Sequence, residues 1–442
     1  MKGYSIGETL SFSGIVISAR PLRSVVEYVL HTGKQKVIFS SSENLEKGQE
    51  VEVKGQLSGL LPLQIAAREV GERTGLYEKI VKEVEEGVQP GSFIAANQVT
   101  QELRSTFLAI AKRLASAKEL NRFTLLRFHG DADGIAGALA LNDYMYLKPL
   151  QQNSAVYAQH DVVTDISLLY NERRPLVVLL DFGSNERSAR QLELLRASGA
   201  EVILIDHHPL EREIHSIPNF TLSPWLTNAS SPSSYTAGYL AAELVHLLGI
   251  DSARYARIAC AGDKSHVCEP SEEDRAAALV LDYLATHTVY GNNLMFYRNV
   301  LRKNDLFLSI HLQAKEAIDN AAEKALAKIK QKDKAGFQIY LVPLAGLTRK
   351  GEFPNKSKIT SAVLERVKSE KPTIIIGWGD GTIILRANKE CKEKLDFSSL
   401  ISRIIPQFPG LIKSGGGHAL AAAIHVNKDY EQPIIDALLE AI

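Results

Sequence analysis

Apolar and polar residues change their rhythm three times along the chain. Up to residue 72, short runs rich in alternating or β-branched residues occur at 10–18, 25–31, 36–40, 50–57 and 63–70, with Gly14, Gly33, Gly48, Gly55 and Gly59 as turns or bulges. Five short strands in that length predict a small barrel of OB-like form. Tyr4, Phe12, Tyr28 and Phe39 are the aromatic residues it has available for stacking bases. A charged helix is expected over 76–86, then a break at Gly87-Val88-Gln89-Pro90-Gly91 and a helical stretch over 99–117.

From Phe123 to Cys268 the pattern becomes α/β. Short apolar runs at 124–128, 176–180 and 202–205 are separated by helical stretches, as expected of parallel strands joined by crossovers. Ser271-Glu272-Glu273-Asp274 has capping-box form and opens a helical region expected to reach Lys332. A smaller α/β unit follows, with strands at 338–342, 373–377, 382–386 and 421–426 and a tight hairpin at Asp380-Gly381. The fold class expected is α/β: a parallel-sheet domain plus a smaller α/β C-terminal domain, preceded by a small β-barrel. The segments are a barrel at 1–72, a helical connector at 73–120, the parallel-sheet domain at 121–270, a helical linker at 271–334 and the second α/β domain at 335–442.

Composition adds restraint. Hydrophobic residues make up 45% and charged residues 23% of the 442, as in ordinary globular proteins. No apolar run is long enough for a secretory signal or a membrane span, so a cytoplasmic protein is expected. The widely spaced Cys260, Cys268 and Cys391 read as reduced thiols. Lys plus Arg and Asp plus Glu are equal at 51 each, so any polyanion partner must be met by local positive charge.

The chemistry collects where apolar runs end, which in open α/β sheets is where ligands bind. His129-Gly130-Asp131-Ala132-Asp133-Gly134 follows the first run, Asp181 the second and Asp206-His207-His208 the third, while Asp263 follows a helical stretch. Each alone has a plain reading: a helix-capping turn, a lone cap, an exposed histidine pair. Together they form an oxygen and imidazole set without thiolates, suited to Mn2+ or Mg2+, with Zn2+ and Co2+ left open. An aspartate bridging two such ions would clamp an in-line phosphoryl displacement.

Asp206-His207-His208 resembles the signature of the DHH phosphoesterase superfamily, and the four clusters match its motifs in order over 123–268. The chain looks most similar to RecJ-like nucleases of the archaeal type, with His129 standing where bacterial members carry an aspartate. That resemblance implies two metal ions. His129, Asp131 and Asp181 would surround one; Asp133, Asp181, His207 and Asp263 would hold the other. His208 would face the scissile phosphate, and Asp206 would orient a histidine. Ser414-Gly415-Gly416-Gly417-His418 resembles the Gly-Gly-His signature of the domain that accompanies DHH units, although a glycine run by itself reads as a flexible turn. In that family Gly415, Gly416, Gly417 and His418 would grip substrate phosphate, and Arg386 would contact substrate. Lys350, Lys356 and Lys358 are read as a charged loop before a helix, and Trp225 and Trp378 as packing residues.

The function implied is a metal-dependent phosphodiesterase: an exonuclease on single-stranded DNA or RNA that activates water with two Mn2+ or Mg2+ ions. A helicase or replication complex as partner is implied by the resemblance alone. Two alternatives stay open. One is a small-substrate hydrolase acting on oligoribonucleotides, adenosine bisphosphate or cyclic dinucleotides, which the neutral net charge favours. The other is a non-catalytic scaffold of a helicase or replisome.

Overall fold

The alternating N-terminal runs close on themselves. In the computed structural model of the chain, residues 4–211, 213–286, 291–349, 351–367 and 369–442 are described, His418 without its side chain. Strands β1 (Thr9–Pro21), β2 (Val26–His31), β3 (Lys36–Ser41), β4 (Glu50–Leu60) and β5 (Leu63–Glu72) form a closed barrel in the order β1-β2-β3-β5-β4. Gly55 and Gly59 fall at the register shifts between β4 and β5, whereas Gly14 lies inside β1 rather than in a turn. Phe12, Tyr28 and Phe39 fill the barrel core, and the Tyr4 ring packs 6.0 Å from that of Phe12. The aromatics that could have stacked bases are therefore spent on packing.

Helices α1 (Tyr77–Gly87), α2 (Gln98–Glu102) and α3 (Arg104–Glu119) follow, the last two divided at Leu103 where the sequence predicts one helix. Ile15 and Ile17 of β1 bury against Tyr77, Ile80, Val81, Val84 and Leu120. The Glu50 carboxylate accepts the N–H groups of Leu76 and Tyr77, where α1 starts, and the Arg174 guanidinium at 2.7 Å. The barrel is thereby fastened to the elements that come after it.

The central layer contains β6 (Thr124–His129), α4 (Ala132–Tyr144), β7 (Lys148–Gln152), α5 (Gln159–Leu169), β8 (Leu176–Leu180), α6 (Ala189–Ala197), β9 (Glu201–Ile205) and β10 (Phe220–Leu222). Next come α7 (Ala237–Leu247), α8 (Ala253–Gly262), α9 (Glu272–Ala285) and α10 (Leu294–Arg302). The strands pair in parallel in the order β10-β9-β8-β6-β7. Edge strands β7 and β10 carry no readable signal: the first is polar and contains Pro149, the second has three residues.

Chain contacts divide the protein into two compact units, Met1–Leu301 and Arg302–Ile442. The second contains α11 (Asn304–Leu326), β11 (Lys330–Lys334), β12 (Phe337–Pro343), α12 (Lys356–Val367), β13 (Thr373–Gly379), β14 (Thr382–Ala387), α13 (Phe397–Ile404), β15 (Ile412–His418), β16 (Ala421–Val426) and α14 (Glu431–Ala441). Its sheet runs β11-β12-β13-β14-β16-β15. The Asp380-Gly381 hairpin forms as expected, both residues at positive φ. The helical region stops short of Lys332, because Lys330–Lys334 pairs with β12 across Ala335-Gly336, again both at positive φ. Alanine is rare in that conformation, so the turn gives no warning. The expected fold class, a parallel-sheet α/β domain with a barrel before it and a smaller α/β part after it, is the one observed. No helix among the described residues is long and apolar enough to cross a membrane, and the three cysteines are free.

One buried charge cluster braces the strand that carries the first motif. Arg127 of β6 donates to Asp165 (Nε to Oδ2, 2.9 Å), to Asp161 and to Gln152, and Tyr157 donates to Asp165 at 2.7 Å. Arg127 and Asp165 are both buried. Removing one partner leaves an uncompensated buried charge, so Asp165→Ala should destabilise the protein by about 3–5 kcal/mol in urea unfolding.

Candidate metal centre

Register builds the site. Phe128 pairs with Leu180 across β6 and β8, and Leu180 with Ile205 across β8 and β9. The next residues, His129, Asp181 and Asp206, therefore fall in one row at the carboxyl ends of three neighbouring strands.

Asp131 and Asp133 reach that row from the start of α4. Asp131 is the N-cap, its Oδ1 accepting Gly134 N–H at 3.0 Å, so the capping reading holds as well. The Asp133 oxygens accept Ala237 N–H (2.9 Å) and Gly238 N–H (2.8 Å) at the start of α7, where helix amides favour an anion. A Cβ on Gly238 would fall 2.4 Å from the Asp133 carbonyl oxygen, so only glycine lets the two helices meet this closely.

Asp181 is the centre. It is 1% exposed and adopts φ 67°, turning the chain abruptly after β8 while its N–H continues the ladder to Ile205 at 2.8 Å. Its Oδ2 lies 3.5 Å from His129 Nδ1 and its Oδ1 3.4 Å from His207 Nε2. Oδ1 is buried with no hydrogen-bond partner. Isolating a carboxylate oxygen in this way is costly unless a cation meets it.

The adjacent histidines face different partners. His207 Nδ1 lies 2.8 Å from the Ser233 carbonyl. A carbonyl only accepts, so Nδ1 carries a hydrogen, and Nε2 faces Asp263 (3.2 Å), Asp181 and Asp133 (3.9 Å). His208 Nδ1 lies 2.8 Å from Asp206 Oδ1, leaving Nε2 on the half-exposed side of its ring. Asp206 is fully buried and also accepts Ser184 N–H at 3.1 Å. Burial alone would raise its carboxyl, but His208 beside it and these hydrogen bonds hold it at about 2, so it remains the acceptor.

Three groups of donor atoms lie within 4.8 Å of one another: His129, Asp131 and Asp181; Asp133, His207 and Asp263; and Asp181, His207 and His208. Every residue expected around metal is thus brought together, with Asp181 shared between two groups. Two carboxylates ~4 Å apart repel by ~4 kcal/mol at an effective dielectric of ~20. Burial and the neighbouring carboxylates push the Asp181 and Asp133 carboxyls well up, whereas His129 holds Asp131 down against its burial. Oxygen and imidazole donors without thiolate, around an unsatisfied buried oxygen, fit divalent Mn2+ or Mg2+.

Residues 125–262, which carry all of these side chains but Asp263, match the model of the DHH family, N-terminal domain. This segment is a DHH-family domain. The chain is similar to the DHH domain of a member of a ribosomal-protein family (TM-score 0.70, 19% identity, 82% of this chain and 97% of that one). It is similar also to RecJ in complex with Mn2+ from Thermus thermophilus (TM-score 0.50, 16% identity, 81% of this chain and 56% of that one). At these identities the likeness is one of fold. An uncharacterized protein of Methanocaldococcus jannaschii is 23% identical over 86% of this chain, which spans 60% of that relative's length.

Several contributors to the DHH site give no signal in the sequence. The Ser233 carbonyl, the Ser184 N–H and the Asp282 carboxylate, which accepts Ala132 N–H at 2.8 Å, act through space. Trp225, read as a packing residue, is 39% exposed and donates its Nε1–H to the His207 carbonyl at 2.8 Å. Trp378 does pack against the core of the second unit.

The remaining candidates lie in the second unit. Gly415, Gly416 and Gly417 are not in a loop: they belong to edge strand β15, opposite Ile424, Ala423 and Ala422 of β16. An edge strand still presents outward backbone N–H groups, and a Cβ on Gly417 would fall 2.4 Å from the Ala421 carbonyl oxygen. His418 ends that strand, and its side chain lies outside the description. Arg386 on β14 bonds Ser357 and Ser361 (3.2 Å) of α12 and the Leu385 carbonyl (2.9 Å). Burial pushes its guanidinium down to about 10, and no carboxylate pairs with it among the described residues. Lys356 and Lys358 lie in the first turn of α12 rather than in a loop, with Lys356 3.0 Å from Asp380; Lys350 falls outside the described residues.

The crowding makes a test that needs no substrate. Asparagine tolerates positive φ and removes one charge. Asp181→Asn should therefore be at least as stable as wild type in EDTA, and should lose the rise in Tm that Mn2+ gives wild type.

Proposed function

We propose that the chain is a two-metal phosphodiesterase that degrades single-stranded nucleic acid from an end, with residues 121–270 catalytic and 335–442 binding substrate. The observation that carries this reading is Asp181, a buried carboxylate shared by two ligand groups with one oxygen unsatisfied. We assign His129, Asp131 and Asp181 to one ion, and Asp133, Asp181, His207 and Asp263 to the other. A bound Mn2+ or Mg2+ pair would supply Lewis-acid activation of water and neutralise charge at phosphorus.

The chain's own residues do the rest. His207 holds Nε2 toward the ligand carboxylates because the Ser233 carbonyl takes its Nδ1 hydrogen. His208 is oriented through Nδ1 by Asp206, and when both ring nitrogens carry hydrogen its Nε2 would donate to a phosphate oxygen. Arg386, half-buried with no carboxylate against it among the described residues, is kept for an anion, and the outward amides of Gly415–Gly417 offer further donors. No protein nucleophile is needed. A scaffold would have no use for a cluster of buried, mutually repelling carboxylates.

Two observations favour the small-substrate reading: the barrel keeps its aromatics inside, and the net charge is zero. The two readings separate by assay. End-labelled single strands, duplexes and dinucleotides are incubated with Mn2+, Mg2+ or EDTA. The strand reading expects metal-dependent shortening of single strands only, with binding that falls steeply with salt; cleavage confined to dinucleotides overturns it. His208→Ala should lower kcat by about 10²–10³ with a smaller change in KM, the scale for losing one donor to transition-state charge.

A further inference from the structure

Trp225 sits in the helical turn Pro224–Leu226 that follows β10. The turn is rigid. Leu226 N–H reaches the Ser223 carbonyl and Thr227 N–H the Pro224 carbonyl, each at 3.1 Å, and Thr227 Oγ1 donates to the same Pro224 oxygen at 2.6 Å. Asn228 N–H is tied to Glu102 of α2 at 2.9 Å.

The indole carries a single polar hydrogen, and the His207 carbonyl takes it. The part of the ring left in solvent is then wholly apolar and aromatic, with no polar need of its own. Leu226 beside it is 40% exposed, so apolar surface is presented next to a ligand histidine of an acidic site. Neither the metal ligands nor the phosphate donors have a use for such a surface. A nucleobase does: every base has a π face, and stacking on an aromatic side chain tolerates any sequence.

We propose that Trp225 is the base-stacking residue of this centre, holding the nucleobase beside the phosphodiester that is cleaved. This rests on the nucleic-acid reading above and narrows it: the enzyme requires a base, and base-free phosphoesters are poor substrates. Trp225 thereby sets specificity through its ring, its one N–H being taken up by the His207 carbonyl.

The test uses the full chain carrying Trp378→Phe, so that Trp225 is the sole tryptophan, with Mg2+ present. AMP should quench and shift its fluorescence, and ribose 5-phosphate should not. On single strands, Trp225→Ala should raise KM on the order of tenfold with kcat nearly unchanged, the scale of one lost base–aromatic contact. Trp225→Phe, which keeps a ring and loses the N–H, should stay within about threefold of wild type in KM. No response to AMP, or a kcat loss in Trp225→Phe equal to that in Trp225→Ala, would overturn the stacking role while wild-type strand hydrolysis still upheld the nuclease reading. Absence of strand hydrolysis by wild type would instead remove the nuclease reading itself.

Discussion

Like charges do not gather inside a protein unless something compels them. The organising constraint here is the confinement of the Asp131, Asp133, Asp181 and Asp263 carboxylates with the His129 and His207 imidazoles. Much of the first unit can be understood as resistance to their separation. Paired strands deliver His129, Asp181 and Asp206 in one row. The amides of α7 fix Asp133, and a left-handed residue at Asp181 aims the central carboxylate. Strain of this kind persists only where surrounding structure over-determines it.

The helices that deliver the candidate ligands pack through small residues. A Cβ on Gly137 would meet Gly238 Cα at 2.8 Å, and one on Gly262 would meet Ala132 Cβ at 2.8 Å. Such close approach makes α4, α7 and α8 a rigid block, because interiors packed this densely cannot shift by fractions of an ångström without cost. The barrel joins the same unit through Glu50 and the apolar face of α1, and its aromatics serve its own core.

The legible parts of the sequence are those where one local pattern has one outcome. Short, largely apolar runs followed by acidic or histidine residues became β6, β8 and β9, and the row of candidate ligands at their ends followed from that. The barrel strands are readable from alternation and glycine. What escapes is set by distant partners. Ser233 lies 26 residues from the histidine it orients, and Asp282 lies 150 residues from the amide it caps. The glycine run at 415–417 reads as a turn because glycine has low strand propensity; pairing with β16 overrides that preference. Trp225 escapes for a similar reason, since exposure is a property of the assembled surface.

Histidine at position 129 has an electrostatic consequence. With four ionised carboxylates and two neutral imidazoles, the protonation that metal binding would require, the candidate set would carry a charge that two divalent ions cancel. A fifth carboxylate at 129 would leave a loaded centre anionic and unfavourable to an anionic ligand. With imidazole there, a loaded centre would be electroneutral, and an anionic ligand would meet no net repulsion.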